Sequence, residues 1–328
     1  MLLEIRAIIT GDHNMRKSKL GFSVCVSVVL LLVFGLSVSL SASEAEDIGD
    51  VKWSFVVYSD NRGSNPTHRA VLTSIAKVKP EIILNLGDVV FRSADYGTMD
   101  SFKKDVEECY GSFDDFVKIF YPSIGGHEER YYNQEEYPPD GMEPDNKAGC
   151  KFYDEVGLKE RVEEFNDEYG DYYFSHKNIH FIMLYRSDEW EFRDGQVTWL
   201  KGILEKIDGK DPIIITGHAG GWFYPLSATQ RQILKLIQKY NVDIALGADW
   251  HDYYAFAHGN LMMFRSGSAG WGDGIFIRFD LTDKGFIIRT FEPDGVTLFT
   301  KRKDTDGSVI SPYWIKPFGK PGQEMEFE

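Results

Sequence analysis

The chain has 328 residues, 43% of them hydrophobic, and a formal net charge of −15. That length holds one large α/β domain or two small ones, and the apolar content is ample for a core. Polynucleotide binding rests on Lys and Arg neutralising phosphates, so an acidic body argues against a nucleic-acid polymer as partner, though not against a small phosphorylated molecule.

The chain opens on a leader. Leu20 to Leu40 is 21 residues without a charge, preceded by Arg16-Lys17-Ser18-Lys19 and followed by Ser41-Ala42-Ser43. A basic start, an apolar stretch and small residues describe a secretory signal, and the stretch is also long enough to span a bilayer as a retained anchor. Residues 1–43 are expected to be that signal peptide or membrane anchor, and residues 44–328 a body lying outside the cytoplasm, secreted or periplasmic. Of the three cysteines, Cys25 falls in the apolar segment. Cys109 and Cys150 could pair in an oxidising compartment, or stand as two buried thiols.

Trp53–Tyr58 reads as a first strand, and Pro66 opens a helix through Lys77 with Val71, Leu72, Ile75 and Ala76 inward. The apolar run at residues 81–86 is a buried strand of a mostly parallel sheet, completing a β-α-β unit. A helical pattern from Asp100 to Lys118 leads to a third strand at Phe120–Ile124. Residues 129–160 break the rhythm with turn chemistry and read as a loop-rich insertion. Tyr172–Phe174 and Ile179–Tyr185 form a hairpin, Gln196–Ile207 and Thr229–Tyr240 are amphipathic helices, and strands end at Gly217 and at Gly247. After His251 the pattern is all-β.

Five of these strands deliver an Asp or a His just past the last apolar residue: Asp60, Asp88, His127, His218, and the pair Asp249 and His251. Ligands of open α/β sheets bind at the carboxyl ends of the strands, and Asp with His is the donor set of Zn²⁺, Mn²⁺ and Fe²⁺ sites. Asp60 and Asp88 could instead cap helices. His68, His176, His180 and His258 are assigned no role.

Taken together, the strand ends resemble the calcineurin-like metallophosphoesterase family, whose ordered motifs D-x-H, G-D, G-N-H-[DE], G-H and G-H-x-H correspond here to Asp60-Asn61-Arg62, Gly87-Asp88, Gly126-His127-Glu128, Gly217-His218 and Gly247-Ala248-Asp249-Trp250-His251. The resemblance implies a four-layer α/β/β/α sandwich of two mixed sheets and a dinuclear metal site. Three positions depart from it, with Arg62, Gly126 and Ala248 where the family has other residues. It implies Asp60, Asp88, His218, Asp249 and His251 as ligands of one or two divalent ions (Mn, Zn or Fe), His127 as general acid with Glu128 orienting it, and Arg62 gripping a phosphate.

The expected function is an extracytoplasmic metal-dependent phosphoesterase that hydrolyses a small phosphomonoester or phosphodiester by metal-activated water. The alternative is a catalytically weak or inactive binding protein on the same fold. A serine hydrolase finds no support: no G-x-S-x-G occurs, and Ser268 lacks the strand-turn-helix context.

Overall fold

Strand β1 (Trp53–Tyr58) carries the logic of the fold in its alternation. Phe55 faces inward, stacked on Phe279 with ring centroids 4.5 Å apart and edge-on to Phe181 at 5.5 Å. Tyr58, three residues on, faces the other way and stacks on His68 of helix α1 (Pro66–Val78). Asn65 accepts the His68 N–H as the N-cap of α1, Pro66 starts its first turn, and Val71, Leu72 and Ile75 are buried.

The computed structural model describes residues 49–91, 97–133, 149–185, 192–207, 209–219, 227–270, 274–293, 302–303, 309–310, 313–318, 320 and 323–325. The leader and the turn-rich 134–148 lie outside the described residues. The body belongs to the unit Asp47–Glu328.

Strand β2 (Ile82–Asn85) lies parallel to β1, and β3 (Phe120–Pro122) parallel to β2. Between them the helical pattern expected from Asp100 to Lys118 is carried by two helices, α2 (Met99–Tyr110) and α3 (Phe113–Ile119). Gly111, at φ +101°, ends the first in the left-handed conformation and Ser112 caps the second.

Of the insertion expected at 129–160, the described residues at its two ends are largely helical. Residues 129–133 continue helix α4 (Gly126–Asn133), followed by α5 (Lys151–Glu155) and a 3₁₀ turn, Lys159–Arg161. Buried Phe152 and Tyr153 anchor α5, and the Arg161 guanidinium donates to the Phe120 and Val156 carbonyls.

Then come β4 (Glu164–Asn166), β5 (Asp171–His176) and β6 (Ile179–Leu184), the last two turning at Lys177 and Asn178, both at positive φ. Helix α6 (Asp194–Lys206), β7 (Ile213–Gly217), α7 (Ala228–Lys239) and β8 (Ile244–Gly247) alternate. The rest is strand: β9 (Tyr253–His258), β10 (Leu261–Ser266), β11 (Phe276–Leu281), β12 (Gly285–Phe291), the short pair β13 (Arg302–Lys303) and β14 (Val309–Ile310), β15 (Tyr313–Pro317) and β16 (Gln323–Met325).

Two seven-stranded mixed sheets result, ordered β16-β15-β12-β11-β1-β2-β3 and β4-β5-β6-β7-β8-β10-β9. Phe55, Phe181, Phe264 and Phe279 fill the space between them, each burying enough apolar surface to contribute about 1.5–3 kcal/mol. Helices α1 to α3 pack on the first sheet, and Leu200, Ile203 and Leu204 of α6 with Ile233 and Ile237 of α7 pack on the second. This is the expected four-layer α/β/β/α sandwich. Cys109 and Cys150 are free thiols, and burial pushes the Cys150 thiol up to about 12. Among the described residues, no helix is long and apolar enough to cross a membrane.

Candidate metal centre

Parallel pairing of β1, β2 and β3 brings three loop starts to one edge. Past the strands the loops stay laced together: the Asp60, Arg62 and Gly63 N–H groups donate to the carbonyls of Gly87, Asp88 and Val89. The second sheet adds β7 and β8, whose ends carry His218 and Ala248–His251. The Ala248 N–H donates to the His218 carbonyl at 2.7 Å.

Backbone strain is concentrated at this edge. Of the nine non-glycine residues with positive φ among the described residues, five are Asp60, Arg62, Asp88, Asp249 and His251. Such conformations persist only where the surroundings over-determine them, and they cluster at functional sites. Two glycines make the close approach possible: a Cβ at Gly125 would collide with the Asp88 carboxylate and the His218 ring, and one at Gly87 with His218 and Gly125.

Donor atoms of Asp60, Asp88 and His218 lie within 4.8 Å of one another, all three residues buried. His218 reaches across from the second sheet, and its Nδ1–H donates to the Leu86 carbonyl at 2.7 Å. That bond fixes the ring so that Nε2 faces Asp88 Oδ1 at 3.4 Å and Asp249 Oδ1 at 3.6 Å. Asp60 Oδ2 accepts from the Ser59 hydroxyl at 2.6 Å and from the Asp249 N–H at 3.3 Å. Its Oδ1 is buried with no hydrogen bond, 3.4 Å from His251 Nε2. A bare carboxylate oxygen beside a second carboxylate and an oriented imidazole fits a divalent cation.

The other expected residues are brought to the same place, in different relations. Asp249 and His251 flank the three-residue cluster through the contacts just given. The Arg62 Nη2 lies 3.2 Å from Asp88 Oδ2 and 3.1 Å from His251 Nε2, with its guanidinium 6.0 Å from the Phe91 ring. The His127 N–H donates to Asp88 Oδ1 at 3.0 Å, its Nε2 is 3.6 Å from Asp88 Oδ2, and its ring packs edge-on against Phe91.

Glu128, expected to orient His127, does something else. Its carboxylate accepts the backbone N–H groups of Asp88, Val89, Val90 and Gly125 at 2.5–2.9 Å. With its oxygens filled by backbone donors, it is a clamp on the Asp88 loop. Ala248 is buried and carries no donor. Neither early aspartate is the N-cap of α1, since Asn65 caps it.

The electrostatics follow from this packing. Burial opposes ionisation of Asp88, but His218, His127 and Arg62 hold its carboxyl far below the usual range. Burial likewise opposes the His218 imidazolium, and Asp88, Asp60 and Asp249 together push its pKa well above the ordinary value. Burial, with Arg62 adding to it, lowers His127 to about 4. Burial and the Asp88 charge raise Glu128 to about 7.

Several supporting residues were not anticipated. The Ser59 hydroxyl contacts the Ser266 hydroxyl and the Gly267 carbonyl, and Ser268 donates to the Asp60 carbonyl, which is its structural part. Asn85 donates to the Asn61 side chain, which donates in turn to the Val89 carbonyl. Ser59 was findable as the neighbour of Asp60, whereas Ser266, 207 residues away, carries no local signal.

The sequence profile of calcineurin-like phosphoesterases matches residues 48–253, and the chain belongs to that family. No curated protein matches the chain. Among solved structures, the purple acid phosphatase PPD1 from yellow lupin (Lupinus luteus) seeds matches at 15% identity and a TM-score of 0.56, over 80% of this chain and 53% of that one. This chain thus spans about half the length of the lupin enzyme. GAP50, the anchor in the inner membrane complex of Plasmodium, matches at 12% identity and a TM-score of 0.50, over 76% of this chain and 88% of that one. At such identities these likenesses concern the fold alone.

Proposed function

We propose that this protein is a metal-dependent phosphoesterase that hydrolyses a small phosphomonoester or phosphodiester. One observation carries the reading: the Asp60, Asp88 and His218 donors converge within 4.8 Å, with the buried Asp60 Oδ1 bare. A divalent cation held there, Mn, Zn or Fe, would supply Lewis-acid charge and an acidified water for in-line attack at phosphorus.

The remaining chemistry belongs to the side chains around it. Arg62 binds phosphate oxygens through its fork of N–H donors. His127 hands a proton to the leaving group. Burial lowers its pKa to about 4 against the opposing Asp88 charge, and the negative charge of a bound phosphate would act with Asp88 to raise its proton affinity. Asp249 and His251 complete the surround, Asp249 against His218 and His251 against Asp60.

The same reading places the body, residues 44–328, outside the cytoplasm. It rests on the uncharged Leu20–Leu40 stretch behind Arg16-Lys17-Ser18-Lys19, as signal peptide or anchor.

A second reading, a binding protein that keeps the fold, draws on Arg62, whose guanidinium engages Asp88 and His251. The Plasmodium structure that shares the fold is described as an anchor. Elemental analysis of the purified full chain, beside Asp88→Ala, separates the two. Near-stoichiometric Mn, Zn or Fe that is lost on substitution, with turnover in a phosphoester screen, supports the enzyme. Absence of metal from the wild type after incubation with excess Mn²⁺ and Zn²⁺ moves the assignment to the binding protein.

A further inference from the structure

We propose that the site takes one divalent cation, and that the Arg62 guanidinium permanently occupies the position a second cation would need. The inference rests on the metal-dependent reading and concerns how that site is charged.

The two oxygens of Asp88 face different neighbours. Oδ1 accepts the His127 N–H and lies 3.4 Å from Nε2 of His218. Oδ2 faces Arg62 Nη2 at 3.2 Å. A carboxylate whose second oxygen already binds a guanidinium cannot offer that oxygen equally to a second ion.

His251 is committed in the same way. A guanidinium N–H only donates, so at 3.1 Å the His251 Nε2 lone pair accepts it, which leaves that nitrogen without a lone pair for coordination. Ala248, buried between His218 and Asp249 in the chain's packing, offers no ligating side-chain atom.

Arg62 is held at this place by its backbone as well as its side chain. Its backbone is left-handed at φ +50°, its N–H donates to the Asp88 carbonyl at 2.8 Å, and its side chain is 19% exposed. Unlike a metal, a guanidinium stays charged at every relevant pH and cannot be removed by chelation. The site therefore keeps a fixed positive charge beside an exchangeable one.

The test is calorimetric titration of the metal-free full chain with Mn²⁺, alone and as Arg62→His and Arg62→Lys, with folding of each variant checked by circular dichroism. The expected result is one equivalent in the wild type and in Arg62→Lys. Arg62→His, which frees Asp88 Oδ2 and His251 Nε2 and adds an imidazole, takes a second, weaker equivalent. Electron paramagnetic resonance gives an independent readout: isolated Mn²⁺ in the wild type, a coupled pair in Arg62→His. Two equivalents in the wild type, or only one in a folded Arg62→His, overturn the inference and leave the metal-dependent reading standing. No equivalent in the wild type overturns both.

Discussion

The Glu128 carboxylate accepts the Asp88 N–H at 2.9 Å, and with it the N–H groups of Val89, Val90 and Gly125. A side chain on α4 thereby fixes the left-handed backbone of a residue on the β2 loop, 40 positions earlier. Only a group that accepts with both oxygens can satisfy four converging donors. Glu128→Gln turns an NH₂ toward them and leaves buried N–H groups unpaired, at a cost of about 1–3 kcal/mol. Thermal unfolding is expected to begin several degrees lower, with metal uptake weakened; unchanged stability would show that the clamp is dispensable.

Gly125 leaves room for nothing but a hydrogen. Its Cβ would meet the Asp88 carboxylate and amide and the His218 ring, all of which belong to backbone or are held by buried hydrogen bonds. Gly125→Ala is expected to fold with the Asp88–His218 geometry displaced, and to lose metal binding far more than stability. Elemental analysis and calorimetry on the same preparation distinguish these two losses.

Ser59 sets which oxygen of Asp60 is free. Its hydroxyl occupies Oδ2 at 2.6 Å, leaving Oδ1 bare. Residues that orient a metal ligand typically govern 10–100-fold in affinity, so Ser59→Ala is expected to weaken Mn²⁺ binding by roughly 10-fold or more. A binding isotherm indistinguishable from wild type would mean that the Asp249 N–H orients Asp60 by itself.

Asp171 gives the fold a pH dependence that is independent of the site. Buried at the start of β5, it accepts from Tyr185 N–H, Gln196 and Asn166, yet burial outweighs these donors and raises its carboxyl to about 8. A group whose pKa is raised on folding contributes stability that is complete below its unfolded value, near 3.9, and that is lost as pH climbs through the folded value. Chemical denaturation of wild type and Asp171→Asn between pH 5 and pH 9 is expected to show a steeper downward slope in the wild type than in the variant, which keeps only the share from raised groups such as Glu128.

The architecture was legible because each element announces itself locally. The Trp53–Tyr58 and 82–85 runs read as strands buried on both faces, and the spaced Ile233 and Ile237 mark the one buried face of a helix. The Asp and His residues at strand ends were legible for the same reason, as each directly follows its own strand. The reading was coarser in two places. The break at Gly111 is itself a local signal, a left-handed glycine followed by a capping serine, whereas the helical course of residues 129–133 and 151–155 is tied to the rest of the chain by Tyr131 and by buried Phe152 and Tyr153.

The sequence by itself determined which chemical groups stand at the carboxyl ends of the strands, because periodicity ends a strand at a definable residue and the next one is simply read. Only the tertiary structure decided what those groups do to each other. Glu128 became a backbone clamp, His218 was aimed by a carbonyl 132 residues away, and Arg62 settled between Asp88 and His251. Coordination and ion pairing act over about 3 Å, and separations on that scale between residues far apart in the chain are fixed by packing of the two sheets, not by spacing along the chain.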